Sequence, residues 1–254
     1  MSSYRKILYQ VDAAIARITL NRPDKRNALD AELLSELKDA LRQSAESQAR
    51  VVVLAGAGRD FCAGADLAGL QQTQDAGITE IMGEARRVAE LFLQMRRHPC
   101  PIIASVRGRA LAGGCGLATA CDIILASESA QFGYPEVNIG FIPAMVMAIL
   151  RRSVSEKKAF ELITSAEIIS APAALQAGMV NRLFPDERLE SEVDAYARNL
   201  AAKSASALSL SKNLLYHMDA MTFESALEAG VQANAIARMT EDCRRGIARF
   251  LKKE

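Results

Sequence analysis

Gly113, Gly114 and Gly116 surround Cys115 inside "RALAGGCGLATACDIILA" (109–126), a stretch without a lysine, serine or histidine. It follows the apolar run "PIIASV" (101–106), so the order is strand, glycine turn, helix. A helix that starts on such a turn presents unsatisfied N–H groups and the positive end of its dipole. It can hold an anion, or a developing negative charge, without a cationic side chain. The same glycines also serve tight helix packing, and the residues alone leave both roles open. Cys115, at the predicted helix start, is a candidate thiolate nucleophile, since that position lowers thiol pKa values. Its base would have to be His98 or His217, the two histidines of the chain. His98, closing "QMRRHP", serves equally as a helix-terminal cation. Glu136, between Pro135 and Val137 in "YPEVNIG" (134–140), is a candidate proton carrier if it is desolvated, and otherwise an ordinary exposed loop glutamate.

A second glycine turn, "VVVLAGAGRDFCAGADL" (51–67), contains Gly56-x-Gly58. The third glycine of a dinucleotide-binding turn would fall at 61, where Phe61 blocks the close approach that glycine permits. No G-x-x-x-x-G-K-[ST] occurs, which excludes a P-loop. The five cysteines are odd in number, irregular in spacing and free of C-x-x-C pairs. They are expected to be reduced thiols, and two histidines are too few for an ordinary structural zinc site.

The elements that must position these residues follow from hydrophobic pattern. "KILYQVDAAIARITLNRP" predicts a hairpin ended by Pro23. Asp30 is a predicted N-cap, and leucines at 33, 34, 37 and 41 mark one helical face. "ARVVVLAG" predicts a strand buried on both faces, and "CPIIASVRG" and "CDIILAS" predict two more. "GITEIMGEARRVAELFLQMRRHP" predicts an amphipathic helix. This is the rhythm of βαβ units. From Ala144 the chain is expected to be almost all helix, interrupted by a brief strand in "AGMVNRLFP" (177–185). Its 254 residues hold one large domain or a domain with a helical appendage. A net charge of +1 provides no basic footprint for nucleic acid or an anionic membrane. With no signal-like start and no membrane-length apolar run, a cytoplasmic protein is expected.

Five stretches together carry a resemblance: "TLNRPDKRNALD" (19–30), "FCAGADL" (61–67), "LAGGCGLATACD" (111–122), "FGYPEVNIGFIP" (132–143) and "EDCRRGIARFLKKE" (241–254). In this order and spacing they resemble the enoyl-CoA hydratase/isomerase (crotonase) superfamily, over nearly the whole chain. The resemblance implies an α/β fold, a ClpP/crotonase-like spiral of ββα units over 1–195, with a helical oligomerisation region over 196–254. It implies an acyl-CoA thioester substrate whose carbonyl oxygen is held by the backbone amides of Ala65 and Gly113, with Glu136 as the proton carrier. Ala63 would face the adenine through its carbonyl, and Lys25 or Arg26 would meet a phosphate. Ala28, Asp66, Leu67 and Gly114 complete the implied binding residues. Phe250 and Lys253 would reach the coenzyme A of a neighbouring subunit in a homotrimer or dimer of trimers. No metal is implied, and no cofactor beyond the coenzyme A of the substrate. No nucleic-acid or membrane partner is implied.

The chain departs from this pattern twice. Hydratases of the superfamily carry a second glutamate three residues after the oxyanion glycine, and here that position is Gly116. A single carboxylate suits double-bond isomerisation, so hydratase and isomerase both stand. A non-catalytic coenzyme A- or RNA-binding relative is a further alternative. "AMVMAIL" (144–150) replaces a glycine-rich segment with bulkier residues, which should reshape the acyl pocket.

Overall fold

The computed structural model describes residues 4–73 and 75–252. β1 (Ile7–Asp12) and β2 (Ile15–Leu20) form the predicted hairpin. α1 (Ala31–Glu46) starts where the Asp30 carboxylate accepts from Leu33 N–H at 2.9 Å, and it buries Leu33, Leu34, Leu37 and Leu41. β3 (Val51–Gly56) leads through α2 (Leu67–Gln72) and α3 (Ile78–Arg97) to β4 (Ile102–Val106). β5 (Arg109–Leu111), α4 (Gly113–Thr119), β6 (Ile123–Ser127) and β7 (Gln131–Gly133) follow. Next come α5 (Ala144–Ser153), α6 (Glu156–Ser165), β8 (Ile168–Ser170), α7 (Ala171–Gln176) and β9 (Arg182–Phe184). Four helices end the chain: α8 (Leu189–Ala201), α9 (Ala205–His217), α10 (Phe223–Met239) and α11 (Glu241–Leu251).

The main sheet has the order β1-β2-β3-β4-β6-β9 and is parallel from β2 to β9. β3 is buried on both faces, as its unbroken apolar run predicts. Val52 and Leu54 join the core that holds the α1 leucines and Leu91 and Met95 of α3. Val51 and Val53 face Leu189, Val193 and Ala197 of α8. α8 therefore crosses residue 195 while packed on the sheet. β5, β7 and β8 form a second, three-stranded sheet that the sequence does not announce. Residues 109–111, expected as turn, are one of its strands.

α9 is fixed to the core by a buried cation. Lys212 Nζ donates to Met95 O at 3.0 Å, Cys100 O at 3.1 Å and Asp122 Oδ2 at 2.7 Å. Asp122 also accepts from Tyr216 OH at 2.6 Å and Ile102 N–H at 2.6 Å. α10 and α11 bury no residue. No helix among the described residues is long and apolar enough to cross a membrane.

Candidate active site

Three chain segments run side by side and in parallel into one corner of the molecule. Residues 60–65 lie beside β5, with Cys62 N–H donating to Arg109 O at 3.1 Å and Leu111 N–H to Cys62 O at 3.0 Å. β5 lies beside β7, and Ala112 N–H donates to Gly133 O at 2.8 Å. Ala63–Ala65, Ala112–Gly113 and Gly133–Glu136 therefore emerge together. The junction has no room for side chains. Gly64 has φ +94°, and a Cβ there would lie 2.7 Å from Ala112 Cβ and 3.1 Å from Gly113 N. A Cβ on Gly114 would lie 2.2 Å from Cys62 O.

Ala112, at φ 51° and ψ −129°, makes the sharp turn that starts α4 at Gly113. The Cβ position of Gly113 is 3.8 Å from Ala65 N, so the two amides belong to one small space. Among the described residues neither the Ala65 nor the Gly113 N–H has a protein acceptor. Two such donors, one of them at the first residue of α4, are suited to stabilising an oxygen that gains charge during a reaction.

Glu136 sits in a 3-10 turn, Pro135–Ile139, directly after β7. It is only 9 % exposed, so it is not an exposed loop glutamate. Its Oε2 is buried and has no hydrogen-bond partner among the described residues. Burial pushes its carboxyl above the usual range, and its own backbone N–H opposes this. Such a carboxyl exchanges a proton nearer to neutral pH than an ordinary glutamate.

The thiol reading does not survive. Cys115 is wholly buried, and burial pushes its pKa up to about 12, against the lowering expected at a helix start. Neither histidine serves it. His98 Nε2 lies 3.0 Å from Ser44 Oγ, and His217 Nδ1 lies 2.8 Å from Asn213 O. His98 is no helix-terminal cation either, since burial lowers its pKa.

Gly116 explains its own departure. A Cβ there would lie 2.0 Å from Val146 Cγ1, 2.9 Å from Val146 Cβ and 3.5 Å from Phe92 Cζ. Val146, from the bulky segment on α5, fills the place where a side chain at 116 would begin. The two departures are one packing arrangement.

Lys25 and Arg26 are exposed on the turn after β2, and Ala28 is buried just beyond it. Ala63 N–H donates to Arg26 O at 3.0 Å, which joins that turn to the segment 60–65. Asp66 caps α2 through Ala68 N–H at 3.2 Å, and Leu67 is exposed at the first turn of that helix. Gly114 is buried at the second position of α4. Phe250 is exposed near the end of α11, far along the chain from the three segments, and Lys253 lies outside the described residues.

Sequence reasoning missed two supporting residues. Arg22 reaches Ala28 O at 2.5 Å, Asp30 Oδ2 at 3.0 Å and Asp66 Oδ2 at 2.9 Å, tying the loops at 28–30 and 66 together. Asn27, fully buried at φ 56°, accepts from Arg22 N–H at 2.9 Å and donates to Ala57 O at 3.0 Å and Asp60 O at 2.8 Å. An asparagine in a motif, where αL geometry is needed, was the available signal.

The chain matches the family model described as enoyl-CoA hydratase/isomerase over residues 10–254. It is 34% identical over 238 residues to the 2,3-dehydroadipyl-CoA hydratase of Escherichia coli, covering 93% of this chain and 91% of that one. A crystal structure of an enoyl-CoA hydratase from Mycobacterium smegmatis superposes with a TM-score of 0.94 at 32% identity, covering 98% of this chain and 97% of that one. Human enoyl-CoA hydratase domain-containing protein 3 gives a TM-score of 0.93 at 31% identity, with 98% of each chain covered. Sequence match and crotonase fold agree along almost the full length, and the chain belongs to the enoyl-CoA hydratase/isomerase family.

Proposed function

We propose that this chain moves a proton on an unsaturated acyl-CoA thioester, by way of an enolate held at the Ala65 and Gly113 amides. Glu136 carries the proton. The observation that carries this reading is the Glu136 carboxyl, buried with an Oε2 that has no partner among the described residues, on the segment that leaves β7 where β5 leads into α4. A buried polar atom left unpaired costs about 1–3 kcal/mol, and a proton-transfer role accounts for retaining it.

The packing of Val146 on Gly116 favours double-bond migration over hydration. Glu136 would take a proton from C2 of a 3-enoyl thioester, and the electron pair would spread over the dienolate and onto the thioester oxygen. Returning the proton at C4 gives the conjugated 2-enoyl product. Hydration would need a second group to position water, and the place one turn beyond Gly113 is closed. The hydratase names of the relatives keep hydration as the second reading.

In this reading Lys25 or Arg26 meets a phosphate of the coenzyme A and the Ala63 carbonyl faces its adenine, while Ala28, Asp66, Leu67 and Gly114 complete the binding residues. Phe250 and Lys253 reach it from a neighbouring copy in a trimer or dimer of trimers. The chemistry calls for no group beyond the substrate's own coenzyme A. Two incubations test it: a 3-enoyl-CoA, followed by the gain of conjugated thioester absorbance, and crotonyl-CoA, followed by its loss. The gain should be the faster process, and Glu136→Gln should reduce it by about 100-fold or more. Rapid hydration without isomerisation, or an undiminished Glu136→Gln enzyme, would overturn the reading.

A further inference from the structure

The three parallel segments that end at the candidate active site begin, at their other ends, on a groove of about 530 Å³. Asp60, Arg109 and Gln131 stand at these starts, and Arg59 and Arg107 flank them. Four residues of extended chain separate the two ends, roughly 13 Å. The groove also lies beyond the C-terminal ends of β3, β4 and β6, where open parallel sheets place ligands.

Its charge is unbalanced. Among the described residues, none of the three guanidiniums is within ion-pair distance of a carboxylate. Arg107 donates to the backbone carbonyl of Asp186 at 2.9 Å, and Arg109 Nε to Gln131 Oε1 at 3.3 Å. The two carboxylates of the groove take their hydrogen bonds from uncharged donors, and of the three guanidiniums the Arg107 charge acts on Asp186 from beyond ion-pair distance. Asp60 Oδ1 accepts from Arg109 N–H at 2.9 Å, and Asp186 accepts from the Ser129 hydroxyl. The loops are also clamped. Gly108 has φ +60°, a Cβ there would lie 2.1 Å from Arg59 O, and Gln131 N–H donates to Gly108 O at 2.9 Å.

We propose that this groove binds a phosphate-bearing anion, seated between Arg59, Arg107 and Arg109 and separate from the acyl-CoA site. Guanidinium forks match phosphate oxygens in pairs, and three of them on fixed loops favour a multiply charged ligand. Titration calorimetry with inorganic pyrophosphate, and with orthophosphate for comparison, tests it. Pyrophosphate should bind the more tightly, and binding should weaken with added salt. Arg59→Ala, Arg107→Ala and Arg109→Ala should each weaken it by roughly tenfold or more. Arg109→Gln provides a second variant at the site whose backbone joins the strands. Saturating butyryl-CoA should leave pyrophosphate binding unchanged, as should Glu136→Gln, so failure here is distinguishable from failure of the proposed reaction. No measurable binding, binding indifferent to the three substitutions, or displacement by butyryl-CoA would overturn the assignment. Displacement would make the groove part of the thioester's own phosphate seat.

Discussion

Glu136 is in tension between fold and chemistry. Its raised pKa means that the native state favours the neutral acid more than the unfolded chain does. Between the unfolded and folded pKa values the native state binds more protons, so stability falls as pH rises through that window. Above the window the carboxylate is charged, and its Oε2 has no partner among the described residues. Glu136→Gln should therefore be as stable as the wild type at pH 4. At pH 8 it should be more stable by about 1 kcal/mol, the usual gain when a strained functional group is relieved. Denaturant midpoints at the two pH values measure this. The same shift displaces the acid limb of kcat/KM for proton abstraction above the ordinary glutamate range near 4.5. A limb at the ordinary position, with equal stability of the two proteins at both pH values, would remove Glu136 from its role.

Among the elements, α9 is held to the core through one buried lysine. Lys212 satisfies two backbone carbonyls and Asp122, and Asp122 in turn orders Tyr216 and the start of β4. Lys212→Ala leaves the partly buried Asp122 carboxylate without its cation and should destabilise the protein by about 3 kcal/mol, read as a lowered urea midpoint. Replacing Lys212 and Asp122 together with apolar residues should cost less, because no charge is then stranded. This hub was not legible in the sequence. Lys212 and Asp122 are 90 residues apart, and pattern reading assigns a lysine in a helix to its wet face. What was legible was local. Asp30 with the leucine spacing located α1, and the apolar run at 51–54 marked a strand covered on both sides. The second sheet left no trace because its strands are three residues each, too short to show alternation. At the site, Ala65, Gly113 and Glu136 could be marked by motif, whereas the burial that disarms Cys115 and the contact that fits Val146 to Gly116 are tertiary facts.

At the scale of the whole molecule, the C-terminal helices α10 and α11 leave large apolar side chains exposed. Phe223, Leu227 and Val231 follow one another at helical spacing along α10 and are 74%, 57% and 63% exposed. Ile247, Phe250 and Leu251 on α11 are exposed as well. Exposed apolar side chains at helical spacing mark an interaction face, and copies of the same chain in a closed ring are the partner that the family resemblance implies. Light scattering should then give a mass three or six times the 27.5 kDa of the chain. Leu227→Glu with Val231→Glu places charges on that face, far in sequence from Ala65, Gly113 and Glu136, and should release monomers. Because Phe250 and Lys253 are assigned to a neighbour's coenzyme A, the monomers should lose thioester affinity first, with KM rising well before kcat falls. A wild-type protein that is monomeric at micromolar concentration and fully active would show that each chain completes its own site, and that Phe250 and Lys253 have no part in binding.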